Sequence, residues 1–316
     1  MARQTTGPAA LALAALVARR FYLDQRSKVE IAEELGHSRF KIARLLEMAR
    51  DSGLVRIEIG HPGLIDVDLA AQMLDRFGLT QAVVVDTEDE HAESLRRHLG
   101  QVAAELIAEI IEPDDVFGVA WSRSVGAMAK ALPRVSSVPI VQLTGAIAMA
   151  GDDHSSIDIV RDVARAVDGP AFVFYAPFTV PDAGTAQVLR QQDDVARAFA
   201  RLSSVTKAVV GLGLWAPGQS TLYDTANEAD RAVLDELGVC AELSGVFLSA
   251  DGEPVQTALT NRMIGIDAQQ MKAIPDVIAI AYGMAKVPAA RAALRSGLIS
   301  GMVTHKSMAR ALLESA

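Results

Sequence analysis

Residues 276–315, DVIAIAYGMAKVPAARAALRSGLISGMVTHKSMARALLES, decide the fold class. DVIAIAYG and LISGMVT are short apolar runs of strand length. PAARAALRSG lies between them with helical spacing. Pro288 suits a first helical turn and Gly297 suits the residue just past a helix end. KSMARALLES then repeats the helical pattern. Strand, helix, strand, helix in this order predicts a mainly parallel sheet covered by helices. Similar β-rich runs recur upstream at 82–85, 116–120, 140–143, 171–175 and 208–212, separated by helical stretches. The composition agrees. Half of the 316 residues are hydrophobic but only 5% are aromatic, which suits aliphatic parallel strands buried on both faces. The expected class is α/β, with a doubly wound larger domain over 61–316 and a smaller domain over 1–60. Residues 64–77 read as a helix linking the two.

The first sixty residues differ in pattern and in charge. They carry ten Lys/Arg against seven Asp/Glu, a balance of +3, whereas the rest of the chain stands at −12 within a total of −9. A mildly basic head on an acidic body suits a nucleic-acid-binding domain attached to a sensor. The apolar stretch 9–17 is too short to span a membrane and is ended by Arg19 and Arg20, so it reads as the first helix of a soluble domain. Cys240 is the one cysteine; no intramolecular disulfide can form, and a cytoplasmic location is expected. The histidines lack ligand spacing, and no metal or cofactor is expected.

Within the head, VEIAEELGHSRFKIARLLEMARDSGLVRIEI (29–59) contains a short helix broken by Gly36. A second helix follows from Arg39, capped by Ser38 and closed by Gly53, and LVRIEI then alternates as a strand does. Three helices and a strand of this kind predict a winged helix-turn-helix. Ile42, Leu45, Leu46 and Ala49 form the stripe that must bury. The opposite face presents Phe40, Lys41, Arg44 and Glu47, and no acid occurs from Gly36 to Leu46, as an approach to phosphates requires. Ser38 and Arg39 stand where helix-turn-helix proteins reach base edges. Lys28 is assigned to the same DNA-binding surface, and Arg56 to the wing. Arg39 and Arg44 suit guanine or phosphate equally. For Phe40, packing on the preceding helix and contact with a thymine methyl both remain open.

The head stretch, DDVFGVAWSRSVGAMAKAL, PIVQLTGA, VVGLGLWAPGQSTLY, ELSGVFLSADGEPV, TNRMIGI and the stretch from Ile278 to His305 resemble, in order and over nearly the whole chain, the SorC family of transcription regulators, grouped loosely with DeoR-type repressors. RMIGI and SGMVTH resemble in particular the regulators of polyol catabolism, such as erythritol repressors. The resemblance implies a repressor with a sugar-phosphate-isomerase-like effector domain that also oligomerises, usually as a tetramer. It further implies operator DNA and a sugar, polyol or sugar phosphate as partners, and no enzyme activity.

Ligands of open parallel sheets bind beyond the carboxyl ends of the strands. On that rule Ser122, Arg123 and Ser124, at a helix start after one strand, and Thr144 and Gly145, after the next, are effector candidates. Gly211 and Gly213 permit close backbone approach, without the third glycine of a dinucleotide fingerprint. The resemblance gives Asp251 a sugar-hydroxyl role, although Asp-Gly equally marks a hairpin turn. Arg262 and Lys286 are cations beside apolar strand ends, and such charges need a partner. His305 stands where many family members carry an acid. The alternative function, a sugar-phosphate isomerase or deaminase, requires a placed base, for which Asp251 is the obvious candidate.

Overall fold

The computed structural model describes residues 7–55, 65–87, 89–147 and 156–314. The chain divides into two compact units, Met1–Gly60 and His61–Ala316.

In the first unit, α1 (Pro8–Tyr22), α2 (Lys28–Leu35) and α3 (Arg39–Asp51) bury one small core of Ala14, Val17, Ile31, Ile42, Leu45, Leu46 and Ala49. Local chemistry sets each boundary. Ser27 and Glu30 form a capping box at the start of α2, and Gly36 ends it in the left-handed conformation. The Ser38 hydroxyl accepts from the Lys41 amide and starts α3. Beyond the α3 cap at Ser52, Gly53 takes a positive φ. Of the expected wing strand, Leu54 and Val55 are described and form no strand, and residues 56–59, Arg56 among them, lie outside the described residues.

The second unit is a doubly wound sheet. Its strands are β1 (Gln81–Val85), β2 (Phe117–Val119), β3 (Ile140–Gln142), β4 (Ala171–Phe172), β5 (Lys207–Leu214), β6 (Val239–Leu243), β7 (Val246–Ser249), β8 (Asp276–Ile280) and β9 (Gly301–His305). The parallel order is β1-β9-β8-β5-β2-β3-β4. Each of the seven runs expected from the sequence contributes one of these parallel strands. Alternate side chains enter cores on opposite faces. Ala208, Val210, Val277, Ala279 and Met302 belong to one core, and Val209, Ile278, Ile280 and Val303 to the other. Burial on both faces is what makes these strands continuously apolar rather than alternating.

Two features depart from the sequence reading. The helix expected to link the domains is α4 (Val67–Phe77), capped by Asp66. It buries Leu69, Ala70 and Met73 in the sheet core, so it is an integral layer of the second unit. The hairpin β6–β7 is absent from the strands expected above. It pairs antiparallel with the outer half of β5, setting Gly213 opposite Glu242. From β2 the chain runs outward through β3 and β4, then returns at β5 on the other side of β2 and continues to β8. This reversal makes the β2/β5 boundary the switch point of the sheet.

Candidate functional site

On α3, Ser38, Arg39, Phe40, Lys41 and Arg44 are all exposed, while the stripe 42, 45, 46 and 49 is buried. Phe40 does not pack against α2: it is 80% exposed and outside the head core. Among the described residues no carboxylate pairs with Arg39, Lys41 or Arg44; the Lys41 Nζ lies 3.3 Å from Nε2 of His37. Their charge is therefore available to an outside anion. Lys28 is half-buried, with its ammonium 5.6 Å from the Phe21 ring centroid. Two acids of the head are engaged away from this face, Glu30 in the α2 capping box and Glu34 in ion pairs. Glu34 holds Arg20 and Arg26, which ties α2 to α1.

In the second unit a cavity of about 180 Å³ opens at the carboxyl ends of β2, β3, β5 and β8, over the switch point. It brings together Ser122, Arg123, Ser124, Thr144, Gly213 and Lys286 from the sequence candidates. Ser122 is the cap of a helix, Arg123–Ala131, and its hydroxyl accepts from the Val125 amide while meeting Ser124 Oγ at 3.0 Å. The Thr144 hydroxyl accepts from the Trp121 amide at 3.0 Å. These hydroxyls thus fix the cavity wall as well as line it. Lys286 donates to the Leu212 carbonyl at 3.0 Å and sits over the Tyr282 ring. Burial pushes its ammonium below the ordinary lysine range, with Glu242 opposing that shift.

The other three effector candidates do not line this cavity. Gly145 donates its amide to Ile264, and a side chain there would meet the Phe178 backbone at 2.8 Å, so it is a packing residue. The Asp251 side chain is 90% exposed in the turn after β7, beside Arg295 at 4.0 Å. Its Asp-Gly signal belongs to that turn. Arg262 binds both carboxylate oxygens of Asp230, at 2.5 and 2.6 Å, and faces a neighbouring cavity. The partner its charge needed comes from its own chain.

The cavity also holds groups that the sequence reading passed over. Glu242 is buried; its Oε1 accepts from Ser220 at 3.1 Å and its Oε2 from the Gly245 amide at 3.2 Å. Burial raises its pKa above the ordinary glutamate value. The available signal was an acid inside the apolar strand VCAEL. Gly213 makes room for it, since a Cβ there would lie 2.3 Å from the Glu242 Oε1. Gly211 does the same for Ser122, also at 2.3 Å. The neighbouring Cys240 is half-buried, and burial raises its thiol pKa, as suits a packing role. Tyr282, hydrogen-bonded by Arg96, and Gly283 complete the β8 side. His305 lies fully buried just behind. Its Nε2 accepts from the Gly283 amide at 3.3 Å, and its Nδ1 is unpartnered, 4.0 Å from Glu90. Burial lowers its pKa.

Taken together, the cavity offers a buried carboxyl and hydroxyls, suited to a hydroxylated ligand, beside two cations at a helix start and a strand end, suited to an anionic group.

Residues 64–314 match the family model Sugar-bind, described as "Putative sugar-binding domain". The chain is 28% identical over 308 residues to the transcriptional regulator LsrR of Klebsiella pneumoniae, covering 95% of this chain and 92% of that protein. It is 29% identical over 290 residues to the erythritol catabolism regulatory protein EryD of Brucella abortus, covering 90% of each. In structure it is similar to the full-length sorbitol operon regulator SorC of Klebsiella pneumoniae, with a TM-score of 0.75 at 24% identity, over 96% of this chain and 99% of that one.

Proposed function

The chain belongs to the SorC-type family of regulators built on this sugar-binding domain, and from that premise we propose that it is a repressor of a carbohydrate or polyol catabolic operon. Residues 1–60 are the DNA-binding domain, presenting Ser38, Arg39, Phe40, Lys41 and Arg44 to the operator, with Lys28 and Arg56 at its margins. Residues 61–316 bind the effector and form the oligomer, a tetramer. The protein acts in the cytoplasm.

The observation that carries the effector reading is the convergence of Glu242, Lys286 and Arg123 on one cavity over the sheet's switch point. Glu242 and the wall hydroxyls address sugar or polyol hydroxyls. Lys286, Arg123 and the amides beginning the helix at Arg123 address a phosphate, which favours a phosphorylated effector. The effector controls DNA binding to the extent that it binds the DNA-competent and DNA-incompetent forms differently.

The enzyme alternative loses its candidate base. Asp251 lies outside the cavity, and the acid inside it, Glu242, has both oxygens engaged within the protein. The named relatives are regulators.

The test is a thermal-shift panel of tetritols, pentitols and their phosphates on the full chain, followed by calorimetry. A phosphorylated polyol is expected to raise the melting temperature in proportion to its occupancy of the native state. No shift from any member, or an equal shift in Lys286→Ala, overturns the reading.

A further inference from the structure

Phe40 is the most exposed large apolar side chain among the described residues, at 80%. It occupies the second position of α3, after the Ser38 cap, and the remaining bulky apolar residues of that helix are buried or half-buried. Arg44 lies one helical turn on from it, on the same face. Arg39 and Lys41 flank it, and no acid occurs between Gly36 and Leu46. A bare aromatic ring set in a cationic stripe lacks an apolar partner among the described residues of its own unit. The like charges around it also oppose a second copy of the same face. A polyanion matches that charge, and only a polyanion with an apolar spot at the right depth also covers the ring.

Duplex DNA has one apolar group on its major-groove base edges, the 5-methyl of thymine. The start of a helix-turn-helix recognition helix is the part that reaches those edges. We propose that Phe40 is a specificity-determining residue that reads a thymine through its methyl group, while Lys41 and Arg44 hold the neighbouring phosphates. The inference rests on the DNA-binding reading above and deepens it by assigning one base to one side chain.

The test needs no known operator. The full-length protein and its Phe40→Ala variant each select from the same random-sequence duplex library. Because Phe40 is exposed, the variant is expected to melt with the wild type; Phe40→Leu, which keeps an apolar contact, serves as a second variant. The wild-type motif is expected to contain a thymine column that relaxes in Phe40→Ala, persists in part in Phe40→Leu, and leaves the other columns unchanged. On the selected site, replacing that thymine by uracil removes only the methyl. It is expected to weaken the wild type about fourfold, the worth of one buried methyl group, and to leave Phe40→Ala unaffected. If Phe40→Ala selects the same thymine column, or uracil weakens both proteins equally, the assignment is overturned while DNA binding stands. If the wild type enriches no motif, the DNA-binding reading fails and the assignment with it.

Discussion

The two candidate surfaces use charge in opposite ways. On α3, Arg39, Lys41 and Arg44 stand in water, backed by a core that asks nothing of them. In the cavity over the switch point, Lys286 and Glu242 are withdrawn from water, shifted from their ordinary pKa values, and tied to Leu212, Ser220 and Gly245. An exposed cation binds a phosphate by releasing counterions, so its contribution falls with salt. A buried one is screened far less and acts through placement. The head should therefore tolerate conservative change and respond to ionic strength, whereas the cavity should respond to shape.

The strongest test of this contrast is the double variant Lys41→Ala, Arg44→Ala. It should lower operator affinity by about 100-fold or more near physiological salt. It should also reduce the magnitude of the log–log salt slope by about two, one for each phosphate left without its cation. Effector affinity by calorimetry should not change. Next is Lys286→Ala, which should weaken a phosphorylated effector by roughly 30-fold, the loss of a charge-assisted bond of about 2 kcal/mol. Operator binding without effector should remain. A smaller effect is expected from Gly213→Ala. Its Cβ would lie 2.3 Å from Glu242 Oε1 and 2.9 Å from Ser220 Cβ. Overpacking of this kind should cost about 1–3 kcal/mol in chemical denaturation, with a blunted effector response and normal DNA binding in the protein that stays folded.

The smallest effect concerns His305. Burial lowers its pKa from 6.5, so over the window below 6.5 the unfolded chain binds more protons than the folded one. Its contribution to stability is present above that window and is lost as pH falls through 6.5 towards the lowered value. His305→Gln, which retains an acceptor for the Gly283 amide, should flatten the fall in melting temperature between about pH 7 and pH 5. An unchanged slope would remove His305 from the account.

Legibility in the sequence followed the range of the interactions. The helix boundaries at Ser38, Gly36, Gly53, Pro288 and Gly297 rest on local backbone chemistry and could be read directly. The seven parallel strands were marked by apolar runs that burial on both faces demands. The hairpin β6–β7 was harder to read because Glu242 interrupts its apolar pattern; the pairing that accommodates this acid, Gly213 opposite Glu242, spans 29 positions. Arg262 looked like a ligand cation because its partner, Asp230, lies 32 residues away in sequence. Asp251 carried a turn signal and a resemblance-based role together, and its exposure agrees with the turn. The head's cations were legible as a surface because the buried stripe of α3 fixes which face is left over.

On the proposed reading, one cavity controls what a separate surface does to DNA. Fluorescence anisotropy of the full chain on a labelled selected duplex, titrated with the phosphorylated polyol that gives the largest thermal shift, tests it directly. The effector is expected to release the wild-type protein from DNA, while Lys286→Ala binds the duplex equally well without effector and stays bound when it is added. Equal release of both proteins, or no release of either, would contradict it.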